Sequence, residues 1–142
     1  MKKTFLFIVL AWFFLTPSVF AQSVVSTKAH KVIFQLTSSD TLVHKATIKQ
    51  INNLLTAAPN AKIEVVCHNN GIELLTTAKT NQAKTIAELK ARGVVFAACE
   101  NTLRERKIDK TEIVSQAIFV PSGVFEVVIK QEKGYSYLKA GF

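Results

Sequence analysis

The chain lacks the sequence motifs that identify several large classes of enzyme. It contains no glycine-rich phosphate loop, no Gly-x-Ser-x-Gly nucleophile elbow, no Cys-x-x-Cys pair and no His-Glu-x-x-His motif. Glycine itself is scarce, with 5 residues in 142. These absences argue against dinucleotide-binding enzymes, P-loop enzymes, serine hydrolases, dithiol oxidoreductases and zinc proteases.

Dense runs of basic residues are also missing, although the chain is basic overall. It has 18 lysines and arginines against 10 acidic residues, which gives a formal net charge of +8. The basic residues are scattered and are not interleaved with aromatic residues, so the pattern disfavours nucleic-acid binding. A mildly basic, solvated surface is the plainer interpretation.

The longest apolar run lies at the N-terminus. Lys2 and Lys3 precede an uncharged segment, residues 5–15, and residues 16–21 then break the run and end in Val-Phe-Ala. This layout predicts a secretory signal peptide over residues 1–21. The uncharged run is shorter than the roughly 20 residues that a membrane-spanning helix needs, which disfavours an uncleaved anchor.

The signal peptide predicts an exported protein with no membrane anchor after cleavage. We expect it to be periplasmic in a cell with two membranes and secreted in a cell with one. Cleavage leaves residues 22–142, a chain short enough to form a single domain. Because two lysines and no acidic residue are removed, the formal charge falls from +8 to +6.

Strand-like and helix-like patterns alternate along the rest of the chain. Short apolar segments predict strands at 31–37, 62–67, 94–98, 117–120 and 135–138. Helices are predicted after Asp40, from Thr80 or Asn81, over 102–107, over 110–115, and after Ser122. Alternating elements imply right-handed βαβ units. The predicted fold is therefore α/β, a three-layer α/β/α sandwich with a mainly parallel sheet of about five strands.

Pattern alone also assigns some side chains to the core or to the surface. In the last helix, Val124, Val127 and Val128 are predicted to face inward, because their spacing is that of one helix face. His30 and His44 are predicted to lie at the surface.

Polar residues follow four of the predicted strands. They are Thr37–Asp40, Cys67–Gly71, Cys99–Thr102 and Pro121–Gly123. The carboxyl ends of parallel strands meet at one edge of a sheet, where α/β proteins commonly bind ligands. We therefore expect these four loops to form one rim.

Cys99 is the residue of this rim that most suggests chemistry. It follows a buried strand, and Thr102 with Glu105 three residues later matches a capping box that opens a short helix. A thiol near a helix N-terminus and near Arg104 and Arg106 has a lowered pKa, and the thiolate is its reactive form. The residues alone leave two alternatives, a reactive thiol or an inert, partly buried one.

Cys67 and His68 determine which kind of site the rim forms. His68 either pairs with Cys99 as in thiol nucleophile enzymes or only hydrogen-bonds within its own loop. Cys67 and Cys99 either form a disulfide or remain free, depending on the order of the strands. A metal site built on these three residues lacks a fourth ligand, so we predict no metal and no cofactor. Asn69 and Asn101 complete the polar set of the two loops.

The order and spacing of these segments resemble the DsrE/DsrF-like family of sulfur-relay proteins. The segments that carry the resemblance are Cys99 with Leu103–Arg106 and Ile108-Asp109, residues 66–75, Pro121–Gly123 and residues 134–137. The resemblance covers nearly all of the mature chain. It implies an α/β/α sandwich that assembles with itself as a trimer or hexamer.

The resemblance also implies a function. Sulfur-carrying members of the family use one cysteine as a persulfide carrier, and its place matches Cys99. This implies an exported protein that handles sulfur through Cys99, with a sulfur donor or acceptor protein as partner and with Arg104 and Arg106 as electrostatic support. The activity is at most that of a sulfur carrier or sulfurtransferase-like protein. The alternative is a non-catalytic oligomeric binding module that keeps the fold alone. Cys67 is a possible second thiol that matches no role in the family.

Overall fold

A computed structural model describes residues 25–141 of the chain. The predicted signal peptide, residues 1–21, lies outside the described residues. Among the residues described, no helix is both long enough and apolar enough to cross a membrane.

Strands and helices alternate along the described residues. The elements are β1 (Lys31–Leu36), α1 (Thr41–Ala57), β2 (Lys62–Cys67), α2 (Ala83–Ala91), β3 (Val95–Cys99), α3 (Glu100–Arg106), β4 (Ala117–Val120), α4 (Gly123–Glu132) and β5 (Ser136–Lys139). Short 3-10 helices cover Asn69–Leu74 and Lys110–Glu112. The predictions for β2 and β4 are confirmed, and the other three strands begin and end within one residue of their predicted bounds.

The strands form one sheet in which every neighbouring pair is parallel. Their order is β4-β3-β2-β1-β5, so the chain crosses the sheet in one direction from β1 to β4 and then returns past β1 to β5. Because parallel crossovers are right-handed, a reversal of direction moves the connecting helix to the opposite face. Helices α1 and α2 therefore cover one face and α4 covers the other. The predicted three-layer α/β/α fold is confirmed.

The two faces of the sheet bury different amounts of apolar surface. On the α1 and α2 face, a large core surrounds Phe34, Ile51 and Phe96. On the α4 face the core is small and consists of Ile33, Val66, Ala97, Val120 and Val127. One helix cannot cover a five-stranded sheet, so apolar side chains remain exposed on the α4 face.

Three side chains lie in a different environment from the one predicted. Val127 is buried as predicted, but Val124 and Val128 are 57% and 41% exposed, because α4 contacts the sheet along only a narrow stripe. His44 is 4% exposed and its Nε2 lies 2.7 Å from the carbonyl oxygen of Ser38. The Asp40 cap fixes where α1 begins, and this places His44 beside the buried stripe of that helix.

Candidate functional site

Cys99 lies at the junction of β3 and α3. It is the last residue of β3, it is 4% exposed, and its extended backbone (φ −75°, ψ 114°) caps α3. Because this backbone already ends the strand, α3 begins at Glu100, two residues before the predicted start. The predicted capping box of Thr102 and Glu105 is therefore wrong, and Thr102 belongs to the first turn of the helix.

A backbone donor from α4 contacts the Cys99 sulfur, and neutral groups nearby lower the pKa of its thiol. The backbone N–H of Gly123, at the start of α4, donates to Sγ at 3.1 Å. Burial raises the pKa of the Cys99 thiol, but hydrogen bonds from the Thr102 hydroxyl and from the N–H groups of Thr102, Gly123 and Asn101 outweigh that effect. The pKa of Cys99 is therefore lowered, and the thiolate form is favoured by neutral donors.

Thr102 connects Cys99 to the loop that follows β2. Its hydroxyl oxygen accepts a hydrogen bond from the backbone N–H of Asn69 at 2.9 Å. The hydroxyl proton is thereby free to point at Cys99, because the oxygen already has a donor of its own. Thr102 is 4% exposed, so its side chain is held in place by the packing around it.

Gly123 lets the start of α4 approach the sheet closely. A β-carbon added at this position would lie 2.9 Å from Cβ of His68, 3.1 Å from Cγ1 of Val66 and 3.2 Å from Cβ of Cys99. Any larger residue would push the helix away from the sulfur. Glycine is thus required here for packing, and the close approach is what brings its N–H within reach of Sγ.

His68 bonds to its neighbour on β1 rather than to the thiol. Its Nε2 lies 2.8 Å from the side-chain nitrogen of Gln35, and the Gln35 oxygen accepts a hydrogen bond from the Tyr137 hydroxyl at 2.7 Å. Burial lowers the pKa of His68. Among the described residues no hydrogen bond joins His68 to Cys99. The predicted alternative, a hydrogen bond within its own loop, holds for the backbone, where the His68 carbonyl accepts from the Gly71 N–H at 3.0 Å, whereas the ring bonds to Gln35 on β1.

Arg104 and Arg106 contact polar residues around the site but not the sulfur. Arg104 donates to the side-chain oxygen of Asn101. Arg106 donates to the backbone carbonyl of Asn69 at 3.2 Å and pairs with Glu73 at 3.5 Å. Arg104 therefore bonds within its own helix and Arg106 to the segment that follows β2, and the lowered pKa of Cys99 comes from other donors.

Cys67 is separated from Cys99 by the sheet itself. Its side chain belongs to the large core together with Ala98, the residue before Cys99. Successive residues of a strand point to opposite faces, so Cys99 projects toward α4 and Cys67 toward the other face. Both thiols are free, and complete burial raises the pKa of Cys67 far above its ordinary value.

A cavity of about 300 Å³ opens at this rim. It is lined by His68, Asn69, Cys99, Asn101, Thr102, Glu105, Ser122, Gly123 and Val124. The structure thus gathers five of the predicted site residues in one cavity and leaves Cys67, Arg104 and Arg106 outside its walls. Within residues 25–141, no group of three or more His, Cys, Asp and Glu side chains is arranged to hold a metal ion.

Three contributors to the site were not among the predicted site residues. Gly123 supplies a donor to the sulfur, and Gln35 and Tyr137 hold His68. The Ser122-Gly123 pair at the end of β4 was a usable signal, since a capping serine before glycine marks a helix start that can approach closely. Gln35 and Tyr137 gave no such signal, because their partnership depends on β1 pairing with β5.

Comparison with known proteins gives a consistent result. The model of the DsrE/DsrF-like family matches residues 30–140. Among solved structures, the chain is similar to a protein of unknown function from Methanobacterium thermoautotrophicum, with 29% sequence identity and a TM-score of 0.74. The match covers 78% of this chain and 98% of that one. No curated protein matches the sequence.

Proposed function

The chain belongs to the DsrE/DsrF-like family, and we propose that it handles sulfur through Cys99, as a persulfide carrier or thiol relay. The observation that supports this most directly is the Gly123 N–H that donates to the Cys99 sulfur, at a cavity large enough for a small sulfur compound. A thiolate is the form that attacks a sulfane sulfur, and it is also the form that leaves when sulfur is passed on. Donors that stabilise it therefore assist both steps.

The proposed chemistry needs no added oxidant or reductant. With thiosulfate as donor, the Cys99 thiolate attacks the outer sulfur atom, the S–S bond of thiosulfate breaks, and sulfite leaves with the electron pair. With a polysulfide, a shorter polysulfide leaves in the same way. An acceptor thiolate then attacks the outer sulfur of the Cys99 persulfide, and Cys99 leaves as a thiolate, stabilised again by Thr102 and Gly123.

Mass spectrometry of the intact protein tests the proposal. After exposure to polysulfide or thiosulfate, wild type and Cys67→Ala are expected to gain the mass of one sulfur atom, and Cys99→Ser is expected to gain none. Cys67→Ala is the matched control because it removes a buried thiol that does not line the cavity. The proposal fails if Cys99 gains no sulfur under conditions in which a control thiol protein does.

The proposal includes export, which the sequence of residues 1–21 supports. Cell fractionation followed by N-terminal sequencing is expected to find a protein that begins at Gln22 outside the cytoplasm. A protein that retains Met1 at its N-terminus would contradict this part of the proposal.

A second candidate function is a non-catalytic module that acts by self-association, and the exposed apolar side chains favour it. Val124, Phe125 and Val128 of α4 are 57%, 61% and 41% exposed, and Ile118 of β4 is 40% exposed on the same face of the sheet. Apolar surface of this kind commonly marks a protein interface. Assembly as a trimer or hexamer is compatible with either candidate function.

Light scattering after size-exclusion chromatography tests self-association. Wild type and Cys99→Ser are expected to form the same oligomer, and Val128→Lys is expected to be smaller, because it places a charge in the apolar surface. A monomeric wild type would contradict self-association. A loss of biological activity in Cys99→Ser, with the oligomer intact, would favour sulfur handling over the binding module.

A further inference from the structure

We propose that His68 is a positioning residue that holds its ring proton on Nδ1 and donates it to the sulfur group carried by Cys99. The inference rests on the proposed function for its sulfur ligand. It goes beyond that function because it assigns His68 a fixed tautomer and the role of a donor, whereas a thiol–imidazole pair would make it a base.

The tautomer follows from the hydrogen-bond chain that starts at β5. The Tyr137 hydroxyl donates to the oxygen of the Gln35 amide at 2.7 Å, which leaves the amide nitrogen facing His68. That amide nitrogen can donate hydrogen bonds but cannot accept them, and it lies 2.8 Å from Nε2 of His68. Nε2 must therefore accept, so in the neutral ring the proton lies on Nδ1. Burial, which lowers the pKa of His68, favours this neutral ring.

The position of His68 places its side chain beside Cys99 in the same cavity. The β-carbons of His68 and Cys99 lie 2.9 Å and 3.2 Å from the same point above Gly123, so they are at most about 6 Å apart. His68 also lines the cavity that contains Cys99. Nδ1 is two bonds from the His68 β-carbon that lies close to Cys99, while Nε2 is engaged with Gln35.

This arrangement separates two tasks within the site. Thr102 and Gly123 lower the pKa of Cys99, so the thiol needs no imidazole base. Once Cys99 carries a persulfide, its outer sulfur is the negatively charged atom, and an N–H donor reduces the repulsion between it and an approaching acceptor thiolate. A neutral donor has the further advantage that it does not form an ion pair that would hold the sulfur too tightly.

Nuclear magnetic resonance of the imidazole nitrogens tests the tautomer directly. At pH 8 the wild-type protein is expected to show His68 protonated at Nδ1 and unprotonated at Nε2. His44 serves as the internal control, because its Nε2 faces the carbonyl oxygen of Ser38, which can only accept, and is expected to be protonated. A His68 ring protonated at Nε2, or at both nitrogens, would overturn the inference whatever the sulfur chemistry proves to be.

Two substitutions of His68 test the role of the donor. In His68→Asn the side-chain amide nitrogen lies one bond from Cγ, as Nδ1 does, whereas His68→Leu has a similar size and no donor. Sulfur transfer from the loaded protein to a small thiol is expected to be about tenfold slower or more in His68→Leu, the effect of losing a hydrogen bond to a charged group, and to be largely retained in His68→Asn.

The pH dependence of Cys99 alkylation separates the donor role from that of a base. It is expected to be the same in both His68 variants and in wild type. Equal slowing of transfer in the two variants, or an alkylation profile displaced by His68→Leu, would overturn the inference. If wild type takes up no sulfur, the proposed function fails, and the resonance experiment still decides where the ring proton lies.

Discussion

Replacement of Thr102 by valine tests the origin of the lowered Cys99 pKa. Valine has nearly the same shape but no hydroxyl, so it removes the donor to Cys99 and the acceptor for the Asn69 N–H. Thr102→Ser keeps the hydroxyl and removes a methyl group. The two variants therefore differ in the chemistry of the sulfur, while both perturb the packing of a buried side chain.

The expected magnitude follows from the strength of the bonds concerned. A hydrogen bond to a charged group contributes about 1.5–3 kcal/mol, so its loss raises the pKa of Cys99. At any pH below that pKa, the fraction of Cys99 present as thiolate is then about tenfold lower or more. In Thr102→Val the Asn69 N–H loses its partner as well, which costs about 1–3 kcal/mol of folding free energy. In Thr102→Ser the lost methyl group costs about 1 kcal/mol, and the thiolate fraction stays near that of wild type.

The rate of alkylation by iodoacetamide, followed from pH 5 to pH 10, is the appropriate assay. Cys67 does not interfere, because it is fully buried. Denaturant unfolding of the same samples measures the loss of stability separately. The reasoning is refuted if Thr102→Val has the alkylation profile of wild type, or if Thr102→Ser displaces the profile as far as valine does.

Four further substitutions test residues around the site, at a control position and in the core. Gly123→Ala should raise the pKa of Cys99 and lower the unfolding free energy by about 1–3 kcal/mol through overpacking. Gly134→Ala, at a positive φ of 80° with open space around it, should lower stability without changing Cys99 alkylation, and an equal change in alkylation would contradict the packing argument. Cys67→Ala should lower the unfolding free energy by about 1–2 kcal/mol in denaturant and leave Cys99 alkylation unchanged; slower alkylation would show that the two thiols are coupled. Burial raises the pKa of the Glu64 carboxyl, although Lys130 opposes this. The folded state therefore keeps the carboxyl proton to a higher pH than the unfolded state does. The stability that this proton contributes is lost as pH rises above about 4.5, the ordinary pKa of the group. Thermal unfolding should therefore show wild type losing stability relative to Glu64→Gln between pH 4 and pH 7, and a constant difference would contradict the raised pKa.

Local patterns were sufficient to predict the elements of the fold. The apolar runs of β2 and β4 were bounded by polar and proline residues, and their ends agree with prediction because such breaks act locally. The parallel arrangement followed from the alternation of strands and helices. The exposure of Val124 and Val128 could not be predicted in this way, because it depends on α4 being alone on its face of the sheet.

The sequence predicted which loops form the site but not the contacts that their residues make. The loops around Cys99 and His68 were expected at one rim, and they do meet there. Thr102 and Glu105 match the capping-box pattern, but they do not cap the helix, because the backbone of Cys99 already caps it three residues earlier. The bond between His68 and Gln35 joins residues 33 positions apart, and only the register of β1 against β2 brings them together.

The placement of the two cysteines on opposite faces of the sheet has a consequence for reaction kinetics. An oxidised Cys99, whether persulfide, sulfenic acid or mixed disulfide, has no second thiol of its own chain within reach. The thiol that returns Cys99 to its reduced form must therefore come from another molecule. The rate of that reaction rises in proportion to the concentration of the outside thiol. Enzymes with an internal resolving cysteine behave differently, since their release is unimolecular. Under the proposed function, the chain therefore depends on other molecules both to load Cys99 and to return it to the reduced state.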